Sequence, residues 1–201
     1  NMLLSAGIRS PKAPLVYLVL RLMLPFIFFA ITLLFMSGIE KDIPKIMKLL
    51  ISASLGLFGF FLPRILVKNT ADKRQQEINI TFPDALDMML ICVQGGIGIE
   101  GAINKIADNV ANLSETLAEE LGILSAELGM LNDRKAAFQG FATRAGSGTA
   151  RSFATAMLQA EQYGTSVSKA IRVLADEQRE ARMAEAERKA ASLPPKLTVP
   201  M

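Results

Sequence analysis

The sequence contains no histidine and only one cysteine, Cys92, among its 201 residues. A disulfide within the chain is therefore impossible, and a zinc site built from cysteine and histidine is excluded. Because Cys92 lies inside an apolar helical run, a small buried hydrophobic residue explains it better than a reactive thiol does. Carboxylates, lysines or hydroxyls would have to act as general base or nucleophile, and none stands in a recognisable pocket-forming context. The sequence thus predicts a protein that is not an enzyme and that needs no cofactor or metal.

Acidic residues are scarce in the first third of the chain. Residues 1–67 hold seven Lys or Arg against two Asp or Glu, whereas residues 68–201 hold fifteen against seventeen. The basic excess behind the overall pI of about 9.1 therefore belongs to the part that flanks the apolar segments. This distribution argues against nucleic-acid binding as the reason for the basic excess.

Two long runs are nearly devoid of charge. Residues 14–36 carry one charge in 23 positions, and a helix of that length spans roughly 34 Å, enough to cross a hydrocarbon core of about 30 Å. Residues 47–67 form a second run, and the polar segment 38–45 between them predicts a tight turn. We expect an N-terminal membrane region, 1–67, with two antiparallel transmembrane helices and contact with lipid.

The charges near these runs predict an orientation and leave one question open. Six basic residues flank one side of the predicted membrane, against Lys41, Lys45 and Lys48 on the other. This excess places the N-terminus and everything after residue 67 in the cytoplasm. Arg21 lies about a third of the way into the first run, where it either extends to the nearer interface or pairs with a group on another subunit.

Residues 68–193 predict an all-α cytoplasmic bundle, since helical periodicity is present and strand signals are almost absent. Pro83 is expected in the first turn of a helix whose positive end Asp84 and Asp87 complement. Ser114 and Asn132-Asp133 are expected to begin further helices, and two more are predicted at about 149–162 and 166–192. Apolar stripes mark the buried faces, at Leu86, Met89, Leu90 and Val93, at Leu117, Leu121, Leu124, Leu128 and Leu131, and at Phe138, Phe141 and Ala142.

The end of the chain predicts a further membrane segment. Pro194-Pro195 stops the last helix, and residues 194–201 are expected to start a third span. An apolar stretch that ends at Met201 is what a piece of a longer protein would show.

The bundle contains an internal repeat at an offset of 68 residues. Residues 89–108 align with residues 157–176 without gaps, with eight identities in twenty positions. A duplicated helical hairpin explains this match, and convergence on an amphipathic hairpin is the alternative. Gly95, Gly96 and Gly164 fall at the two turns, where a helix C-cap favours a left-handed residue.

Two long segments carry a family resemblance. FPDALDMMLICVQGGIGIEGAINKIAD and TAMLQAEQYGTSVSKAIRVLADEQR resemble the two hairpins of the type II secretion F domain. The tail RMAEAERKAASLPPKLTVPM and the entry LLSAGIRSPKAPLVYLVLRLMLP are similar to the tight-adherence (Tad/Flp) pilus branch of that family, the TadC-like platform proteins. The resemblance departs from the usual pattern at Gln94, where a glutamate is common, whereas Glu161 is retained.

The resemblance implies a multi-pass platform protein in a bacterial inner membrane, without catalytic activity. Its implied partners are a secretion ATPase, a paralogous platform protein and pilin subunits, with assembly into homo- or hetero-oligomers. Candidate contacts lie at the exposed turns, because loop tips on a rigid bundle meet partners; they are Gln94, Glu161, Gln162 and Tyr163.

An alternative function is a two-span membrane sensor with a helical signalling domain. Such a sensor needs a sizeable extracytoplasmic ligand domain and a sustained heptad helix. Residues 38–45 are too few for the first, and glycines interrupt the helices.

Overall fold

A computed structural model describes residues 2–8, 12–37, 45–130 and 133–191 of the chain. Within these residues all regular structure is helical and strands are absent, so the all-α prediction is confirmed. The described helices are α1 (Met2–Ser5), α2 (Ala13–Ser37), α3 (Lys45–Gln94), α4 (Ile99–Val110), α5 (Glu115–Met130), α6 (Arg134–Ala145), α7 (Gly148–Tyr163) and α8 (Val167–Ala191). The predicted turn at 38–45, apart from Lys45 at which α3 begins, and the predicted start of a third span at 194–201 lie outside the described residues.

The chain divides into two compact units, residues 1–74 and residues 75–201. In the first unit, two described helices are long and apolar enough to cross a membrane, over Ala13–Phe35 and from Leu50 onward. Their large apolar side chains point outward; Leu34 is 72% exposed and Phe58 is 75% exposed. An apolar surface of this extent is unfavourable in water and suits lipid.

Glycines let α2 and the first part of α3 pack closely. A Cβ atom at Gly59 would lie 3.1 Å from Cδ2 of Phe28 and 3.3 Å from the carbonyl oxygen of Leu24. At Gly56 it would lie 3.4 Å from the carbonyl oxygen of Pro25. Small residues at such crossings allow helix backbones to approach without a hydrophobic driving force, as membrane helix pairs require.

The prediction that a helix begins at Pro83 is wrong, because α3 continues through it from the apolar run to Gln94. A proline inside a helix lacks the N–H that would bond the preceding turn. One turn before it, Arg182 of α8 donates from Nη2 to the carbonyl oxygen of Ile80 at 2.5 Å. Pro83 and Phe82 are both buried. This proline therefore lies inside one long helix, in the part that packs within the bundle.

The second unit is a bundle in which consecutive helices pack together: α4 with α5, α5 with α6, α6 with α7 and α7 with α8. Four phenylalanines meet in its core: the ring of Phe153 lies 5.5 Å from Phe82 and 6.1 Å from both Phe138 and Phe141, centroid to centroid, in edge-on arrangements. The predicted apolar stripe of α5 is buried at its four described leucines, which are Leu117, Leu121, Leu124 and Leu128.

Helices α3 and α8 run antiparallel and are joined by charges. Arg179 donates to Asp87 at 2.8 Å and Arg182 donates to Asp84 at 2.9 Å. Asp84 and Asp87 therefore do not stabilise a helix N-terminus, as was expected of them, but pair with the last helix of the bundle.

A buried ion cluster joins α5 to α6. Arg144 donates from Nε to Glu120 at 3.1 Å and, through its two terminal nitrogens, to both oxygens of Glu127 at 2.8 and 2.9 Å. Its side chain is 14% exposed and that of Glu120 is 1% exposed. Such a two-oxygen contact is the strongest geometry an arginine and a carboxylate can adopt.

Side chains cap the helices of the bundle at their predicted starts. Ser114 accepts from the backbone N–H of Leu117 at 3.1 Å, and Asp133 accepts from that of Ala136 at 3.0 Å. Ser147 does the same for Ala150 before α7. Each cap satisfies a backbone donor that the first turn of a helix leaves unpaired.

Candidate functional site

The alternating helix directions give the bundle two distinct ends. One, here called the entry end, holds Glu77, which accepts from Ser114 at 2.5 Å and from Thr116 at 3.0 Å. Thr149, at the start of α7, donates to Asn79 there at 3.0 Å. The other, here called the turn end, holds the last residues of α3, α5 and α7. The candidate contact residues of α3 and α7 therefore share one end of the bundle.

The two predicted turns at this end are built alike. Gly96 has φ +86° and Gly164 has φ +62°. After α3 the N–H of Ile97 bonds the carbonyl of Cys92, and after α7 the N–H of Thr165 bonds that of Ala160, both at 3.0 Å. This is the Schellman bond that closes a helix at a left-handed residue, which glycine adopts without steric cost.

Gly95 also lies in the first turn, with its N–H bonded to Ile91 at 2.9 Å. It is not among the glycines with positive φ. Its backbone conformation therefore does not by itself demand glycine.

The helices that follow the two turns match in position and burial. Helix α4 begins at Ile99 and α8 at Val167, 68 residues later. Pairs at this spacing are buried alike along both hairpins: Met89 and Met157, Ile103 and Ile171, and Ala107 and Ala175.

An arginine ties the two hairpins together at the turn end. Arg134, at the start of α6, donates from Nε to Glu161 of α7 and from Nη1 to Glu100 of α4. The pKa of Arg134 lies above its ordinary value: burial lowers it, but the hydrogen bonds to Glu161 and Glu100 and the charges of both carboxylates outweigh that effect. Glu161, a candidate partner contact, is thus engaged within the bundle.

The other three candidate contacts are exposed at the turn end. Gln94 and Gln162 lie in the last turns of α3 and α7, and Tyr163 is 72% exposed. Two large apolar side chains that the sequence analysis did not select are exposed at the same end of their helices; Met130 closes α5 and Ile91 lies one turn from the end of α3. Both lie outside the apolar stripes of their helices. Their position off these stripes is the feature of the sequence from which their exposure could have been predicted.

Two features of the described residues bear on cofactor or thiol chemistry. In the part of the chain that the structure describes, no group of three or more Cys, Asp or Glu side chains is placed to hold a metal ion. Cys92 is half-buried on α3, packed against the core. The turn end presents an exposed tyrosine, two amides and two apolar side chains, and the ion pairs of Arg134 join α4, α6 and α7 there.

Comparison with known proteins gives one match. A sequence model of the family described as "Type II secretion system (T2SS), protein F" matches residues 85–201. Neither the curated proteins nor the solved structures contain a significant match. The family comprises inner-membrane platform proteins associated with secretion and pilus assembly, and its members are not enzymes. With more than half of its length matched, and with a helical bundle and two apolar helices of membrane-spanning length, the chain belongs to the type II secretion system protein F family.

Proposed function

We propose that this chain is a multi-pass platform protein of a tight-adherence or related type IV-like pilus machine, of the TadC-like branch. In this role it couples a cytoplasmic secretion ATPase to the assembly or export of pilin subunits, together with a paralogous platform protein. Family membership supports the general role. The residues that resemble the tight-adherence branch support the finer one.

The observation that carries the proposal is the composition of the turn end. It exposes Gln94, Gln162 and Tyr163 on helix termini, at the end of the bundle opposite to Glu77 and the entry of the chain at Gln75. Side chains at loop tips of a rigid scaffold are the usual contact residues. An exposed tyrosine also supplies large contact area with few rotatable bonds, and tyrosines are enriched among residues that dominate binding energy.

The ion network supports a mechanical role for this end. Arg134 binds carboxylates on two other helices, Glu100 and Glu161, so α4, α6 and α7 are linked at one level. A force applied at the turn end would therefore act on both hairpins together. The equal 68-residue spacing of turns and buried positions favours a duplicated module, in which each copy covers the apolar face of the other.

The membrane assignment follows from the same family and from charge. The excess of basic residues before the first span and after the second favours a cytoplasmic location for residues 68–193. Lysine and arginine are the residues that cells retain on the cytoplasmic side of short loops. In this proposed orientation the bundle lies on the same side of the membrane as a cytoplasmic ATPase.

The test is co-purification of the full-length protein with its secretion ATPase from membranes in mild detergent. We expect the double substitution Gln162→Ala/Tyr163→Ala to reduce the recovered ATPase about tenfold or more, since a central interface residue contributes about 2 kcal/mol or more. Tyr163 and Gln162 are exposed, so the fold should be unaffected.

The matched control is Asn112→Ala/Leu113→Ala, which alters two exposed residues of the α4–α5 connection at the entry end. This variant should recover the ATPase as well as the unmodified chain does. If both variants lost the ATPase equally, or if both recovered it equally, the turn end would not be the interface that binds it.

A further inference from the structure

Basic side chains gather where the apolar run of α3 ends. From position 64 to position 74 this helix carries one acidic residue, Asp72, and four basic ones, which are Arg64, Lys68, Lys73 and Arg74. Arg64 and Lys68 are exposed. They lie four residues apart, so their side chains project from the same face of the helix. This end of the run therefore presents a positively charged surface.

The two charges on this face have no carboxylate partner in the part of the chain that the structure describes. Asp72 lies four residues beyond Lys68, yet no ion pair joins the two. Arg64 likewise makes no ion pair with a described residue. Both cations are therefore available to an anion from outside the chain.

The start of α2 brings a further lysine to the same end. The backbone contacts of Gly56 and Gly59 with α2 run in reverse order along the two helices, so α2 and α3 are antiparallel. Lys12 is exposed and immediately precedes α2. It therefore flanks the end of the helix pair at which α3 leaves its apolar run. Lys12 and the four basic residues of α3 are here called the basic surface.

The segment that contains α1 lies against this basic surface. Gly7 approaches α3 so closely that a Cβ atom there would lie 2.7 Å from Nη1 of Arg74. Leu4 and Ile8, on either side of this glycine, are 38% and 40% exposed. Exposed apolar side chains thus stand next to arginine and lysine, a combination typical of segments that lie in a membrane interface.

Arg21 does not belong to the basic surface. Its guanidinium carbon lies 4.4 Å from the centre of the Phe60 ring of α3, in a cation–π contact. Its side chain therefore packs against α3 within the apolar part of the helix pair.

The position of the basic surface along α3 indicates what covers it. The apolar run ends at Val67, between Arg64 and Lys68. The family and the length of the run indicate that this part of α3 crosses a membrane. At a rise of about 1.5 Å per residue, both charges then lie within roughly one turn of the boundary between hydrocarbon and headgroups. Phospholipid phosphates occupy that level.

We propose that the basic surface binds the headgroups of anionic phospholipids, with Arg64 and Lys68 in direct contact with phosphate oxygens. The guanidinium and the ammonium donate charge-assisted hydrogen bonds, and Leu4 and Ile8 contact the acyl chains. A zwitterionic headgroup carries its own cation, so a lipid of net negative charge is favoured. The proposal rests on the membrane location of the family and not on the ATPase contact or on the orientation of the bundle.

The test titrates the full-length protein, in a mild uncharged detergent, with dioctanoyl phosphatidylglycerol and counts the bound lipids by native mass spectrometry. We expect saturable binding that is about tenfold tighter than that of dioctanoyl phosphatidylcholine. Glycerol phosphate, which carries the phosphate without acyl chains, should not compete at the same concentrations. Equal binding of the two lipids would overturn the proposal, and competition by glycerol phosphate would rule out a lipid as the specific occupant.

The charges are tested by substitution. Arg64→Gln/Lys68→Gln should weaken phosphatidylglycerol binding about tenfold or more, since each basic residue at an anionic surface contributes roughly fivefold. Phosphatidylcholine binding should not change. Arg64→Lys/Lys68→Arg keeps both charges and should bind phosphatidylglycerol nearly as the unmodified protein does. Lys68→Gln alone, which lies outside the apolar run, should weaken binding about fivefold and serves as the test if the double variant does not fold.

The matched control is Arg151→Gln/Lys169→Gln, which removes one exposed arginine and one exposed lysine from the bundle. Its net charge equals that of Arg64→Gln/Lys68→Gln, and it should bind phosphatidylglycerol as the unmodified protein does. An equal loss in this control, or binding unchanged by the substitutions at Arg64 and Lys68, would overturn the proposal.

Discussion

Helix α6 carries an arginine near each end, and each binds two carboxylates, yet the two sites differ in access to water. Arg144 is 14% exposed, and its partners Glu120 and Glu127 are 1% and 27% exposed. Arg134 is 35% exposed, and its partners Glu100 and Glu161 are 48% and 31% exposed. The chemistry is the same, so the difference in burial decides what each cluster can do.

Because the Arg144 cluster is largely buried, the stability of the fold depends on it. A charge removed from water is tolerated only while its partner is present, so each member of the cluster depends on the others. Solvent screens the exposed pairs of Arg134, which contribute little to stability and can exchange partners at small cost. The turn end is therefore the place where a binding partner could rearrange ion pairs without unfolding the bundle.

The largest effect is expected at the buried cluster. Arg144→Met should lower the free energy of unfolding by about 3–5 kcal/mol, because the buried carboxylate of Glu120 loses the guanidinium from which it accepts a hydrogen bond. Thermal unfolding of the full-length protein in mild detergent, followed by circular dichroism, measures the loss. The double substitution Arg144→Met/Glu120→Leu should recover much of it, and a single variant as stable as the unmodified protein would contradict this assignment.

A smaller effect is expected at Gly140, which lies beside the guanidinium of Arg144. A Cβ atom at Gly140 would lie 2.9 Å from Nη1 of Arg144, whose position is fixed by two glutamates. Alanine is a better helix former than glycine by about 1 kcal/mol, so Gly140→Ala should stabilise the Arg144→Met variant more than the unmodified protein. Equal effects of Gly140→Ala in both backgrounds would show that the side chain does not require that space.

The smallest effect is expected at the exposed cluster. Arg134→Ala should change the free energy of unfolding by less than about 1 kcal/mol, as measured for most exposed ion pairs. The same thermal unfolding experiment makes the comparison with Arg144→Met. A loss as large as that of the buried arginine would show that solvent does not screen Arg134 and would remove the contrast between the two ends of α6.

The helices of the bundle were largely predictable because their signals are local. Ser114 and Asp133 cap the helices that they were expected to begin, and four leucines of α5 are buried as their spacing indicates. Pro83 shows the limit of such signals. In the sequence it favours a helix start, whereas in the fold it is buried and lies inside the continuous helix α3.

For the candidate contact residues, too, the sequence predicted some features and not others. Exposure of Gln94, Gln162 and Tyr163 was expected from their positions at turns. The engagement of Glu161 with Arg134 was not, because the two residues lie on different helices and no sequence pattern specifies which charges will meet. For the same reason the Arg144 cluster and the aspartate pairs of α3 with α8 were missing from the prediction.

The sequence by itself determined the helical class, the two apolar helices, the glycine turns and the absence of histidine chemistry, since each of these depends on residue type and short-range spacing. Only the tertiary structure decided which carboxylates each arginine binds, that α3 is one helix through Pro83, and that Arg21 lies over Phe60. These outcomes depend on distances between segments far apart in the chain, which packing sets and local propensity does not encode.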